Sequence, residues 1–334
     1  MLLAACSVRK WRIRRRVIWT MSATLEQKPS MTAMVTAFAA IYLVWGSTYL
    51  GMHVAIETMP PFLMGAGRFG IAGALLLAWL AATSAAMPTR RQWVENLSVG
   101  AVMLVGGNGL VAWSLHYVPS GVAALIIAIS PIFFVLIEWG WPGGERPSLL
   151  TFVGLALGFG GAAWLAAPWE NGVGGHAVHV GGLLALVGAC VLWPFGSIYA
   201  KHLRNPVAPF MASAVQMIGG GLGLGVVSLL AGEWAGFHLT GVSARSWGAF
   251  SYLVLVGSLV GFSTFVWLMK HTTPARASTY AYVNPVVAVF LGWLILDEHV
   301  DARTVWSAAV IIAGVVLITS QKGRRKEGKV SRNT

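Results

Sequence analysis

Apolar stretches close to 20 residues long recur along this chain with short breaks between them, and that spacing restricts the fold more than any single motif. They run over residues 33–54, 61–82, 94–116, 120–140, 149–167, 180–200, 207–231, 247–269, 276–296 and 303–320. Local signals mark the breaks: Pro60-Pro61, Pro88 with Arg90-Arg91, Pro119-Ser120, Pro142 through Pro147, and Asp297-Glu298. About 20 mostly apolar residues are what a helix needs to cross a bilayer. Composition agrees, because 57% of the 334 residues are hydrophobic and only 10% are charged, whereas a soluble domain carries roughly 25% charged residues. The expected fold is therefore an all-α integral membrane protein with ten transmembrane helices, and its solvent is the lipid bilayer.

The net charge of +12 raises the question of nucleic acid, and its placement answers it. Arg9, Lys10, Arg12, Arg14, Arg15 and Arg16 precede the first stretch, and Lys322, Arg324, Arg325, Lys326, Lys329 and Arg332 follow the last. Basic runs beside apolar spans are topology signals and contacts for anionic lipid. No folded basic surface remains for nucleic acid. With the N-terminus inside, 20 of the 23 Lys and Arg fall on the cytoplasmic side. Arg245 and Arg303 lie outside and Arg68 lies within the second span. The positive-inside rule then puts both termini in the cytoplasm. Residues 1–31 form a basic cytoplasmic leader that reads as a start taken too early, the native one falling near Met21 or Met31. Residues 321–334 form a basic cytoplasmic tail. Cys6 and Cys190 imply no disulfide framework, and the lipoprotein-like Leu3-Ala4-Ala5-Cys6 lacks the charged and apolar segments that must precede a cleavage box.

The halves repeat. Gly46-Ser47-Thr48-Tyr49 returns as Gly196-Ser197-Ile198-Tyr199, an offset of 150. Pro61-Phe62 and Gly73 match Pro209-Phe210 and Gly221 at 148, and Trp93 and Trp113 match Trp247 and Trp267 at 154. Glu145, Thr151 and Gly161 match Glu298, Thr304 and Gly314 at 153. An ordered series with slowly drifting offsets is the mark of an internal repeat. The expected units are residues 32–167 and 178–320, five spans each. An odd number of spans inverts the second copy, giving a 5+5 inverted-topology repeat, the plan by which secondary transporters exchange conformations.

The motifs then carry a resemblance. Val44-Trp45-Gly46-Ser47-Thr48-Tyr49, Pro60-Pro61 followed by Arg68-Phe69, Gly107-Asn108-Gly109, Val118-Pro119-Ser120-Gly121 and Tyr280-Ala281-Tyr282-Val283-Asn284-Pro285-Val286-Val287 are similar to those of EamA-type permeases of the drug/metabolite transporter superfamily. The similarity is to the YedA-like members of bacterial inner membranes and covers roughly residues 34–320. It implies a 5+5 bundle in the inner membrane, a cavity lined mainly by spans 1, 3, 4, 6, 8 and 9, and export of amino acids or related small metabolites. It leaves the substrate open.

A solute site is expected near mid-membrane, where helices are interrupted. Ser130-Pro131 lies about 11 residues into span 4 and Asn284-Pro285 about 9 into span 9, hence roughly 14–17 Å deep at ~1.5 Å per residue. Proline frees a carbonyl four residues back, beside the Ser130 hydroxyl or the Asn284 amide. The competing reading is a packing kink. Tyr280 shares a face with Asn284. Asn108 needs a partner, which either a solute or a neighbouring helix could supply. Trp45 and Trp193 are candidate aromatic walls or interface anchors. Arg68, roughly 10–12 Å deep, is expected to pair with Glu57, the alternative being a substrate carboxylate. Glu138 reads as a proton site or as a snorkelling end residue, with the second favoured. The Gly154/Gly158, Gly219/Gly223, Gly221/Gly225 and Gly257/Gly261 pairs read as close helix packing.

An enzyme would need a metal cluster or a nucleophile–base pair at depth. The eight histidines fall at span ends or in loops, so no catalytic residue, metal or cofactor is expected. Gly219-Gly220-Gly221 lacks the Lys-Ser/Thr of a phosphate loop, which removes ATP coupling. The expected partner is a small-molecule solute, and no residue pattern specifies an oligomeric state. Nucleotide sugars or sugar phosphates would need several deep cations and only Arg68 qualifies. A drug carrier or a non-transporting membrane partner is the remaining alternative.

Overall fold

The computed structural model describes residues 29–118, 123, 126–144, 146–166, 180–204, 206–284, 286–287 and 302–320. It divides into two compact units, Met1–Thr36 and Ala37–Thr334. Of the first, residues 29–36 are described: the opening turn of a helix, in which the Ala33 amide donates to Ser30 Oγ at 3.1 Å.

Among the described residues all regular structure is helical: α1 Met31–Ile56, α2 Pro61–Ala82, α3 Arg90–Ser114, α4 Ser130–Gly140, α5 Leu149–Ala166, α6 Val180–Lys201, α7 Pro209–Leu230, α8 Ala244–His271, α9 Pro274–Ala277 and α10 Ala302–Ser320. Six of them, α1, α2, α3, α6, α7 and α8, are long and apolar enough to cross a membrane, while α4, α5 and α10 contain shorter apolar segments. Much of the expected ninth span, and the start of the fourth, lies outside the described residues. Helices suit this setting because each closes its own backbone hydrogen bonds where lipid offers none. Their starts follow local chemistry. Pro61 and Pro209 sit in the first turns of α2 and α7, where a missing N–H costs nothing. Thr89 and Gln92 close a capping box on α3.

Two helix pairs approach closely enough for backbone to meet backbone. In the α2–α7 pair, a Cβ added at Gly73 would lie 2.8 Å from the Ile218 nitrogen and 2.9 Å from the Ala214 oxygen. One added at Gly221 would lie 2.6 Å from the Gly70 nitrogen and 3.1 Å from the Ala66 oxygen. These contacts are reciprocal: residues 66, 70 and 73 sit 148 positions before 214, 218 and 221. The α5–α10 pair behaves the same way at an offset of 153. A Cβ on Gly161 would lie 3.1 Å from the Ile311 nitrogen and 3.2 Å from the Ser307 oxygen, and one on Gly314 would lie 2.8 Å from the Gly158 nitrogen and 2.7 Å from the Gly154 oxygen. In both pairs each glycine meets backbone of the partner helix at positions that match across the two halves. With no hydrophobic force between helices in lipid, such small-residue approach supplies the packing.

Candidate functional site

Two of the long helices are not α-helical throughout. Leu104–Gly109 of α3 and Leu253–Phe262 of α8 wind as π-helix, a form that occurs frequently at functional sites. Each π segment receives a tryptophan against a glycine. A Cβ on Gly107 would stand 2.6 Å from the Trp193 ring, and one on Gly261 would stand 2.5 Å from Trp45 Nε1. Gly107 and Gly261 are 154 apart and Trp45 and Trp193 are 148 apart, so the two arrangements are counterparts. The motif after each tryptophan is anchored alike: Ser47 Oγ donates to the Val44 carbonyl at 2.8 Å, and Ser197 Oγ to the Trp193 carbonyl at 2.7 Å.

Trp45 and Trp193 meet edge to face, with centroids 5.5 Å apart at 74°. Phe265 touches both, at 5.2 and 5.3 Å. Tyr280 stands at 90° to Trp45 with centroids 4.7 Å apart. Trp45, Trp193 and Tyr280 form one wall of a cavity with about 700 Å³ of empty space, part of it open to the outside, and Phe265 packs against them. Asn108, Ser130 and Asn284 line it with Trp45, Trp193 and Tyr280, so all six residues singled out from the sequence border a single cavity.

Their surroundings differ. Trp45 Nε1 donates to the Gly257 carbonyl at 3.3 Å within the π segment. Trp193 Nε1 and Asn284 Oδ1 are buried without a hydrogen-bond partner. Ser130 opens α4, with Pro131 in its first turn, after a turn at residues 128–129. The proline thus restarts an interrupted helix instead of kinking a continuous one, and the Ile132 amide donates to the Ile129 carbonyl at 2.9 Å across the break. Pro285, the other half of the second motif, lies outside the described residues.

Arg68 corrects an expectation. It does not pair with Glu57. Its Nε donates to Ser258 Oγ of α8 at 2.8 Å, its guanidinium lies 4.7 Å from the Phe69 ring centroid, and it is 3% exposed in the cavity wall. Glu57, beyond the end of α1, faces Arg245 at 3.8 Å on the surface. Arg68 instead projects from α2 towards the π segment of α8. Glu138 is buried at the end of α4 and paired from α6 by Lys201 Nζ at 3.1 Å and His202 Nε2 at 3.0 Å. Trp141 stacks on His202.

Sequence reasoning did not assign Thr48, Phe262, Gly257 or Cys190 to the cavity, although all four line it. Ser258, which holds Arg68, was also missed. The available signal was the glycine spacing of span 8, which had been explained by packing alone. Among the described residues, no group of three His, Cys, Asp or Glu side chains gathers to hold a metal.

Long apolar helices around a partly enclosed cavity with orphaned polar atoms define a multi-pass membrane protein built on the pattern of a solute carrier. The chain belongs to the EamA-like transporter family, whose sequence profile matches residues 31–167 and again 180–320. It is 35% identical over 295 residues to the uncharacterized inner membrane transporter YedA of Escherichia coli K12, covering 86% of this chain and 90% of that one. It is 26% identical over 319 residues to the uncharacterized transporter YvbV of Bacillus subtilis, covering 92% and 98% of the two chains. A Streptantibioticus cattleyicolor protein named "Probable terminal-alkyne amino-acid exporter" is 27% identical over 310 residues, covering 89% of this chain and 97% of its own. A solved crystal structure superimposes with a TM-score of 0.72 at 22% identity, covering 87% of this chain and 98% of that one, a likeness of fold.

Proposed function

We propose that this protein is an inner-membrane secondary transporter that exports amino acids or related small metabolites by alternating access. The halves 32–167 and 178–320 act as two inverted five-span repeats, with both termini in the cytoplasm. The reciprocal α2–α7 and α5–α10 seams support this plan, as does the two-fold match of the family profile. The inner-membrane assignment draws on the relative YedA, and the amino-acid class on the Streptantibioticus exporter.

The observation that carries the reading is a pair of orphaned polar atoms on residues that line the cavity. Trp193 Nε1 offers a donor and Asn284 Oδ1 an acceptor, both buried and both unanswered by the protein. Each such group costs about 1–3 kcal/mol if it stays unpaired, so their persistence at one cavity marks a place completed by something that enters it. In this reading Asn284, Asn108 and Ser130 bind the solute by hydrogen bonds. Trp45, Trp193 and Tyr280 shape the cavity around its apolar part.

The test is metabolite accumulation outside cells expressing wild type or Asn284→Ala at matched membrane levels. Excess export of a particular amino acid, lost in the variant, is the expected result. Export undiminished in the variant would move the site away from Asn284. A flat profile across a broad panel of amino acids would overturn the amino-acid assignment.

A further inference from the structure

Arg68 is the one charged side chain among the described residues that line the cavity, and no other described residue neutralises it. Ion pairs among the described residues join Arg91 to Glu95, Lys201 to Glu138, and Arg245 to Glu57, leaving Arg68 out. A guanidinium stays protonated in essentially any protein setting. A buried charge without an opposite charge is among the most unfavourable arrangements a fold can hold, and here it lies in a membrane helix. Function is the default explanation for such a residue.

The geometry says what would answer it. Ser258 takes Nε and Phe69 lies against the guanidinium, which fixes the group in place. Nη1 is buried without a partner. Nη2 runs beside Gly257, where even a methyl group would sit 3.0 Å away, so the absence of a side chain there keeps that edge clear. A planar fork with free amino groups suits a carboxylate, which can accept two parallel hydrogen bonds. The same wall continues without interruption to the orphaned groups. The Gly257 carbonyl holds Trp45, and the Trp45 ring touches Tyr280 and Trp193.

We propose that Arg68 is the receptor for a carboxylate on the transported solute, so that this carrier takes carboxylates and rejects counterparts in which an uncharged amide replaces the carboxylate. The inference rests on reading the cavity as the solute site. In an amino acid, the carboxylate meets Arg68, and the ammonium meets Asn284 Oδ1 and the electron-rich faces of Trp45, Trp193 and Tyr280. A solute bearing only positive charge is repelled by the same guanidinium. Ser258 is a positioning residue, holding the fork towards the cavity.

The experiment is thermal unfolding of the purified full chain in detergent against three sets of probes. These are the twenty protein amino acids, their carboxamides, and simple carboxylates such as acetate, benzoate and succinate. At least one carboxylate should raise Tm in the wild type, with its carboxamide at least ~10-fold weaker. Arg68→Gln should erase that preference, and Arg68→Lys should retain part of it because charge survives while the fork is lost. The acid–amide comparison is made on wild-type protein, so poor folding of a variant does not blunt it. Equal response to acid and amide, preference unchanged in Arg68→Gln, or no response to any carboxylate would overturn the inference. Amino acids and carboxamides acting alike would sink the role of Arg68 and leave the amino-acid carrier standing. Response confined to carboxylates that are not amino acids would do the reverse.

Discussion

The glycine seams and the central cavity both draw on pairs of matching positions from the two halves, yet they use them differently. At the α2–α7 and α5–α10 seams, glycines let backbone approach backbone, and no side-chain polar group of those glycine positions has to be satisfied. At the cavity, counterpart tryptophans press on counterpart glycines, but the symmetry stops at the hydrogen bond. Trp45 closes one to Gly257, and Trp193 closes none. The α2–α7 seam is packed backbone against backbone, whereas the cavity is lined by residues carrying buried groups that the protein leaves unpaired. Stability and function should therefore separate along this boundary.

The sharpest way to break the comparison is at a seam. Gly221→Val drives a branched side chain into the Gly70 and Ala66 backbone of α2. Backbone cannot rotate aside, so the cost should exceed the ~1–3 kcal/mol typical of overpacking. The readout is a sharp fall in folded, membrane-inserted protein, seen by detergent size-exclusion chromatography. Next in size is Asn284→Ala. Transport should fall at least ~10-fold while Tm moves little, because the variant removes a buried acceptor that nothing in the protein answers. A large fall in Tm with transport per folded molecule intact would reverse that assignment. The smallest effect sharpens the contrast between the tryptophans. Trp193→Phe removes the unused N–H together with part of the indole ring, and should weaken apparent solute affinity by at least roughly 2–10-fold, the span of one neutral hydrogen bond. Trp45→Phe breaks an internal bond and should cost about 1 kcal/mol of stability, with a smaller change in affinity. Substrate titrations and unfolding curves on both variants check the crossing pattern.

Much of this was legible in the chain because depth and periodicity are properties a sequence records. The 148 offset relating Pro61-Phe62 and Gly73 to their counterparts is the offset that relates the reciprocal contacts of the α2–α7 seam. Asn108, Ser130 and Asn284 stood out as polar residues at mid-span, and they line one cavity with the three aromatic candidates. Direction around a helix was harder to read. Arg68 and Glu57 lie either side of the junction between the first two spans, but facing depends on how α2 rotates against α8, and Ser258 gave no sign of being the partner. Winding was not legible either. The π segments of α3 and α8 change which residues face inward, and nothing in Leu104–Gly109 beyond its glycines announces an extra residue per turn. Pro131 was recognised as a disruption, yet whether it kinks or restarts a helix depends on the turn before it.

The most direct test of the cavity as the solute site uses its own thiol. Cys190 lines the cavity, and Cys6 is the only other cysteine in the sequence, so Cys6→Ser leaves a single reporter. We would measure the rate at which a small neutral methanethiosulfonate modifies Cys190 in that variant, with and without the exported solute. The account predicts that the solute slows modification in a concentration-dependent way, with a midpoint matching that of transport. A rate unchanged at saturating solute would contradict it.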